Sequence, residues 1–102
     1  MVVLVALFPF NSTYAYDGVV EVDGIYYKVF TQTKTAEVTV GDDKYKYTGE
    51  VTIPSSIEKD GVTYCVTYIG ERAFSDCGSL TSVTIPNSVT SIEFAAFCDY
   101  SQ

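Results

Sequence analysis

Histidine and tryptophan are absent from the 102 residues of this chain, and basic residues are scarce. Without histidine, the sequence cannot form zinc sites with imidazole ligands or nucleophile pairs that use an imidazole base. Lysine and arginine total 6 against 13 acidic residues, which gives a formal net charge of −7. Because nucleic-acid binding needs a basic surface, no nucleic-acid partner is expected. The length allows one domain, and 47% apolar residues are ample for a folded core.

The residues that could carry chemistry are scattered. No two carboxylates mark the paired positions across a cleft that a glycosidase needs, and the 3 cysteines include no paired C-x-x-C. The 9 tyrosines fit half-buried sheet packing better than a platform that stacks on sugars or bases. The sequence therefore predicts a protein that is not an enzyme and that holds no metal or other cofactor.

An almost unbroken apolar run, MVVLVALFPF, occupies residues 1–10 and is followed by small and polar residues. This order is typical of a secretory signal peptide, here residues 1–15 with cleavage after Ala15. The run is shorter than the roughly 20 residues that a membrane-spanning helix requires. The alternative is a buried N-terminal strand. The signal-peptide interpretation predicts a secreted or cell-surface protein that meets the membrane only through export.

From residue 16 onward, β-branched and aromatic residues alternate with polar ones and are interrupted by tight turns. Asp23-Gly24 and Asp60-Gly61 each separate two such runs, which is a strong signal for a β-hairpin. We expect residues 16–50 to form a small antiparallel sheet that caps the rest of the chain. On the arm after Asp60-Gly61, the alternation predicts that one face carries Val62, Tyr64, Val66 and Tyr68.

The second half of the chain contains an internal repeat. The string IGERAF at residues 69–74 recurs as IEFAAF at 92–97, 23 positions later, and VTIP at 51–54 recurs at 83–86, 32 positions later. The larger offset indicates a nine-residue insertion near residues 58–66. Because stacked repeats bury each other's apolar edges, Phe74 is expected over Phe97, and Ile53 beside Ile85.

The repeat resembles the BspA-type leucine-rich repeat of bacterial surface proteins. Leu80, Val83 and Ile85 follow the spacing L-x-x-L-x-L, and the 23-residue period lies in the usual range for such repeats, about 20–29 residues. The family string includes Ala73-Phe74 and Cys77, although Glu93 replaces Gly70 in the second copy. The resemblance implies two repeats over residues 51–102. It also implies a mostly β fold, in which the antiparallel cap precedes a short solenoid with parallel strands and short helical or 3-10 turns.

The resemblance also implies a function. Members of this family are associated with adhesion to host or extracellular-matrix proteins, which predicts an exported bacterial surface protein that binds other proteins noncovalently. The binding candidates are the outward residues of the two matching strands, which are Glu50, Thr52, Ser82 and Thr84. The alternative is a structural capping module, or a truncated repeat protein, with no binding activity of its own. Residues 92–102 carry large apolar side chains, so self-association through the last repeat is also expected.

The resemblance places Cys77 where the family has a buried cysteine. We therefore favour a buried free thiol there and at Cys98, while a Cys77–Cys98 disulfide between adjacent repeats stays open because Cys98 is out of register. Cys65 lies on the insertion and is expected to be free.

Overall fold

The computed structural model describes residues 15–41, 47–75, 77–93 and 95–97. Those residues form strands, turns and irregular segments, and the predicted mostly β fold is confirmed. The predicted signal peptide, apart from Ala15, lies outside the described residues. The strands are β1 Gly18–Val22, β2 Ile25–Phe30, β3 Thr35–Thr39, β4 Gly49–Thr52, β5 Ser56–Lys59, β6 Val62–Ile69, β7 Leu80–Thr84 and β8 Ser91–Ile92.

Both predicted hairpins are present. Asp23 and Gly24 join β1 to β2 with φ angles of 52° and 88°, and Asp60 and Gly61 join β5 to β6 with φ angles of 54° and 81°. Positive φ at both central residues is the turn geometry whose twist matches two antiparallel strands. Glycine adopts this conformation without a steric penalty, and aspartate tolerates it better than most residues.

The sheet arrangement corrects one expectation. The predicted cap was wholly antiparallel, but only β1, β2 and β3 pair in that way, and β3 then pairs parallel with β6. The other edge of β6 pairs with β5 over its first half and with β8 at its end. A second sheet is made of β4 and β7 in parallel, and its residues Val51 and Val83 pack against the core that the six-stranded sheet supplies. The fold is therefore a mixed-sheet structure rather than a clear solenoid.

Equivalent residues lie side by side at the two predicted offsets. Val51 pairs with Val83 and the amide of Ile53 donates to Thr84 O, which places Ile53 beside Ile85. Ile69 pairs with Ile92, and the amide of Phe74 donates to Ala96 O. The rings of Phe74 and Phe97 stack with centroids 5.2 Å apart and an interplanar angle of 8°. The predicted stacking of these two pairs is confirmed.

The rows of stacked equivalent residues, which we call columns, also include residues that precede the matched strings in the chain. Val38 on β3 pairs with Ile69, and the ring of Tyr47 lies 4.9 Å from that of Phe74. Val38 and Tyr47 thus stand beside Ile69 and Phe74 as Ile92 and Phe97 do in the later repeat unit. Tyr47, Phe74 and Phe97 form a continuous row of aromatic rings, which we call the aromatic column.

The predicted helical or 3-10 turns at the two Ala-Phe positions are not found in the described part of the chain. Residues 71–75 and 95–97 form isolated turns instead, with the amides of Ala73, Ser75 and Ala96 each donating to the carbonyl three residues earlier. Arg72 has a φ angle of 61°. Because a right-handed helix requires negative φ at every residue, this conformation stops the turn from continuing as a helix.

A β-bulge interrupts the predicted alternation on β6. Ala36 pairs with Val66 and Glu37 pairs with Tyr68, so Thr67 has no partner across the strands. The extra residue reverses the alternation, as bulges do. Tyr68 consequently lies on the outer face beside Glu37, so the predicted alternation does not extend from Val66 to Tyr68. The carbonyl freed at Thr67 accepts a bond from the amide of Thr90 at 2.9 Å.

The two sheets enclose a core of alternating residues, and two of its three buried tyrosines, Tyr27 and Tyr47, differ in their hydrogen bonds. The hydroxyl of Tyr47 donates to Thr39 O at 2.7 Å and accepts from the amide of Tyr26 at 3.0 Å. The hydroxyl of Tyr27 is buried without a hydrogen-bond partner among the described residues. Burial is the main reason that the pKa of both phenols is raised, to about 12 at Tyr47. The core consists of Ile25, Tyr27, Val29, Ala36, Val38, Tyr47, Ile53, Ile57, Tyr64, Val66, Ile69, Ala73, Phe74 and Ala96.

Removing the hydroxyl should therefore have different effects on stability at Tyr27 and Tyr47. We expect Tyr47→Phe to lower the free energy of unfolding by about 1–3 kcal/mol, because Thr39 O and the Tyr26 amide would lose a buried partner. Tyr27→Phe should leave stability unchanged or raise it by up to about 1 kcal/mol, because an unsatisfied hydroxyl disappears. Urea denaturation of both variants measures the difference. Equal losses at the two positions would contradict this assignment.

Candidate functional site

The predicted binding residues lie together on the outer face of the two-stranded sheet. Glu50 pairs with Ser82, and Thr52 pairs with Thr84. Alternate residues of a strand share a face, and all four side chains are exposed while Val51 and Val83 between them point toward the core. The structure thus brings the four predicted residues into one patch, which we call the β4–β7 face. Whether this patch binds a protein stays a prediction.

A shallow depression adjoins this face. It measures about 320 Å³, and Asp23, Tyr26, Tyr47, Glu50 and Thr52 are among the residues that line it. The aromatic edge and the two carboxylates extend the polar surface beyond the two strands. A partner seated on the β4–β7 face would reach this depression as well.

A larger hollow lies on the outer face of the six-stranded sheet, at the bulge. Its volume is about 830 Å³. A row of paired residues lines it, from Lys28 on β2 through Glu37 on β3 to Tyr68 on β6. We call it the Glu37 hollow. It is lined by Lys28, Phe30, Ala36, Glu37, Thr39, Val40, Thr67, Tyr68, Glu71, Arg72 and Glu93.

Gly70 determines how deeply the Glu37 carboxylate sits. A Cβ added at Gly70 would collide with Oε2 of Glu37 and would lie 3.1 Å from Val38 O. The carboxylate therefore rests directly on backbone that has no side chain. Burial raises the pKa of Glu37, and the nearby negative charge of Glu93 adds to this, whereas the positive charge of Lys28 lowers it.

Two polar side chains near Glu37, those of Lys28 and Tyr68, contact residues other than Glu37. The ammonium of Lys28 lies 4.8 Å from the centroid of the Tyr16 ring. The hydroxyl of Tyr68 donates to Oε2 of Glu93 at 2.7 Å, and this bond, ahead of burial, raises the pKa of Tyr68 to about 12. Tyr68 thus remains a protonated donor at neutral pH. Glu37 has no hydrogen bond or ion pair with a described residue.

The pKa of Glu37 predicts a pH-dependent stability. Because the folded-state pKa lies above the ordinary value of 4.5, the folded chain binds more protons than the unfolded chain above that value, so stability falls as pH rises through this window. Glu37→Gln should therefore raise the unfolding midpoint at pH 7 and have no effect below about pH 4. The gain should stay under about 1 kcal/mol, since the side chain is only half-buried and solvent screens it.

Thermal unfolding of both proteins at the two pH values measures this effect. Glu58→Gln on the exposed edge of β5 is the matched control, because it removes one negative charge from the same acidic chain. An equal gain from both variants at pH 7 would show that net charge, not the position of Glu37, is responsible.

Other reactive groups in the described part of the chain are few. Cys65 is exposed on β6 and Cys77 is half-buried, and both are free thiols, while Cys98 lies outside the described residues. The ranges 15–41, 47–75, 77–93 and 95–97 contain no group of three His, Cys, Asp or Glu side chains that could hold a metal ion. They also contain no helix long and apolar enough to cross a membrane.

Sequence reasoning found the β4–β7 face but missed the Glu37 hollow. The alternation in β3 indicates that Glu37 points away from Val38, but it does not reveal which strand lies beside it. The parallel pairing of β3 with β6 joins residues about 30 positions apart, and the bulge at Thr67 has no sequence mark. A glycine at position 70 beside the buried Ile69 was the one local signal of a close backbone approach.

Residues 19–102 match the family described as the BspA type leucine rich repeat region (6 copies). The chain belongs to this family, as the resemblance of its repeat implies. The match begins within the residues that the sequence assigns to the cap. A crystal structure of a leucine-rich repeat protein from Bacteroides capillosus ATCC 29799 is similar, with a TM-score of 0.50 and 21% identity over 81% of this chain and 93% of that one. No curated protein matches the chain.

Family membership defines the class of activity. Leucine-rich repeat proteins act in general through protein–protein interaction, and they are in general repeat proteins that do not catalyse reactions. The similarity to the solved structure concerns the fold alone.

Proposed function

We propose that this chain is an exported bacterial surface protein that binds an extracellular or host-matrix protein noncovalently through the β4–β7 face. The observation that carries the proposal is that Glu50, Thr52, Ser82 and Thr84 are all exposed on one side of two paired parallel strands. Outward strand residues of stacked repeats form the extended surfaces that solenoid proteins use for binding. The family, whose members are typically secreted or on the cell surface, supports the same function.

The size of the face limits its affinity. A specific interface removes about 800 Å² from each partner, and two strands of four and five residues offer less than that on one side. The adjoining depression with Tyr26 adds an aromatic contact of the kind that often dominates binding. We therefore expect weak binding by one chain, which repetition of the face along a surface or an array would strengthen.

Binding to immobilised fibronectin, laminin and collagen tests the proposal. Replacing Glu50, Thr52, Ser82 and Thr84 together with alanine should reduce binding at least tenfold, since all direct polar contacts of the face disappear. A matched variant with alanine at Ser56, Glu58 and Thr63 alters exposed strand positions on the other sheet and should bind normally. Equal binding by both variants would contradict the β4–β7 face as the site.

The export part of the proposal makes a separate prediction. Expressed in a bacterial host, the chain should reach the exterior with Tyr16 as its first residue, which mass spectrometry of the secreted protein measures. Ala15→Arg should block cleavage, because the enzyme that removes signal peptides requires small residues at this point. Retention of residues 1–15 in the unaltered chain would refute the signal peptide.

A second function is favoured by one observation. The side chains of Ile92 and Phe97 are 48% and 43% exposed, although both continue columns that are buried one unit earlier. Such an end suits a capping module whose last coil is covered by further repeats, or by a second copy of the chain through residues 92–102. If none of the three matrix proteins binds, the capping module replaces adhesion as the better account.

A further inference from the structure

We propose that the Glu37 hollow is a second interaction site, which receives a lysine or arginine side chain from a partner protein. The hollow lies on the opposite sheet from the β4–β7 face and does not depend on it. The occupant is inferred from the charge and shape of the described residues that line the hollow.

The floor of the hollow carries a carboxylate that makes no ion pair with a described residue, although the charge of its cross-strand neighbour Lys28 attracts it. Glu37 is half-buried and makes no hydrogen bond or ion pair with a described residue, while the ammonium of Lys28 lies over the ring of Tyr16. Gly70 provides the space that lets the carboxylate rest against the backbone. A half-buried carboxylate gains most from an opposite charge, because the surroundings screen the attraction less than water does. An inserted cation would satisfy this group.

Apolar residues that line the hollow suit the aliphatic part of a lysine or arginine side chain. Phe30 and the 42% exposed Val40 line the hollow beside Glu37, and they can contact the methylene groups of lysine or arginine. The volume of about 830 Å³ accommodates one long side chain and part of its neighbours.

The charge balance of the hollow also favours a cation. Glu37, Glu71 and Glu93 outnumber Lys28 and Arg72, and the chain as a whole carries a net charge of −7. A surface of this sign attracts basic segments and repels acidic ones before contact. Burial, which raises the pKa of Glu37, would be offset by the bound cation, so binding should return that pKa toward its ordinary value.

Two peptides that differ in one ammonium group test the proposal. The probes are acetyl-Gly-Leu-Lys-Leu-Gly-amide and the same peptide with norleucine in place of lysine. Each is titrated into the isotope-labelled chain while amide shifts are followed by NMR. We expect the lysine peptide to bind saturably and to shift the amides of Gly70 and Tyr68. The norleucine peptide should bind at least tenfold more weakly.

Variants separate this site from general charge attraction. Glu37→Gln should weaken binding of the lysine peptide at least tenfold. Glu58→Gln and the alanine variant of the β4–β7 face should bind the peptide as tightly as the unaltered chain does. The amide spectrum outside the hollow verifies that each variant is folded. If the chain binds the lysine peptide but none of the matrix proteins, the proposal for the Glu37 hollow holds while the proposed function does not.

Three outcomes would overturn the proposal. The first is equal affinity for the two peptides, and the second is equal weakening by Glu37→Gln and Glu58→Gln. The third is a shift of the Gly70 amide by millimolar CaCl₂ that equals the shift by the lysine peptide, which would indicate a site for small cations.

Discussion

The parallel pairing of β6 is the constraint on which the rest of the structure depends. One edge of this strand holds β3 and the other holds β5 and β8, so the cap, the insertion and the last unit all attach to it. Its end residue, Ile69, is fully buried between Val38 and Ile92 in the sheet. The aromatic column then joins the loops that follow each strand, because the ring of Phe74 contacts both Tyr47 and Phe97. Each unit is thus stabilised by its neighbours rather than by its own residues.

The same strand separates the two candidate surfaces. The inward residues of β6 belong to the core against which Val51 of β4 and Val83 of β7 pack, while the other side of the six-stranded sheet carries the Glu37 hollow. The bulge at Thr67 is what puts Tyr68 on that second side. Polar side chains accumulate there without disturbing the buried row of Val66 and Ile69. One protein of modest size therefore presents two chemically different surfaces, one rich in hydroxyls and one acidic and partly aromatic.

The sequence predicted the features that short local motifs determine, and it missed those that depend on pairing between strands distant in the chain. Asp23-Gly24 and Asp60-Gly61 determine their turns locally, so both hairpins were predicted correctly. The repeated strings predicted that Phe74 lies on Phe97, since identical units stack in register. Tyr47 was missed because its segment lacks the Ala-Phe signature, although its ring occupies the same column. The helical turns were wrong because no sequence rule predicts positive φ at Arg72. The β4–β7 face was found since its residues alternate within the repeat, whereas Glu37 acquires its surroundings only from β6 and Gly70.

The β5–β6 hairpin has a geometric consequence for growth of the fold. Ser56 to Lys59 occupy the edge of β6 along residues 62–65, so the next strand pairs only at the end of β6, with Tyr68 and Ile69, and β8 is two residues long. The repeat unit that carries the β5–β6 hairpin therefore limits the length of the strand in the next unit. A strand that pairs with β8 would have only two residues to pair with on this sheet. On the other sheet, β7 has five residues.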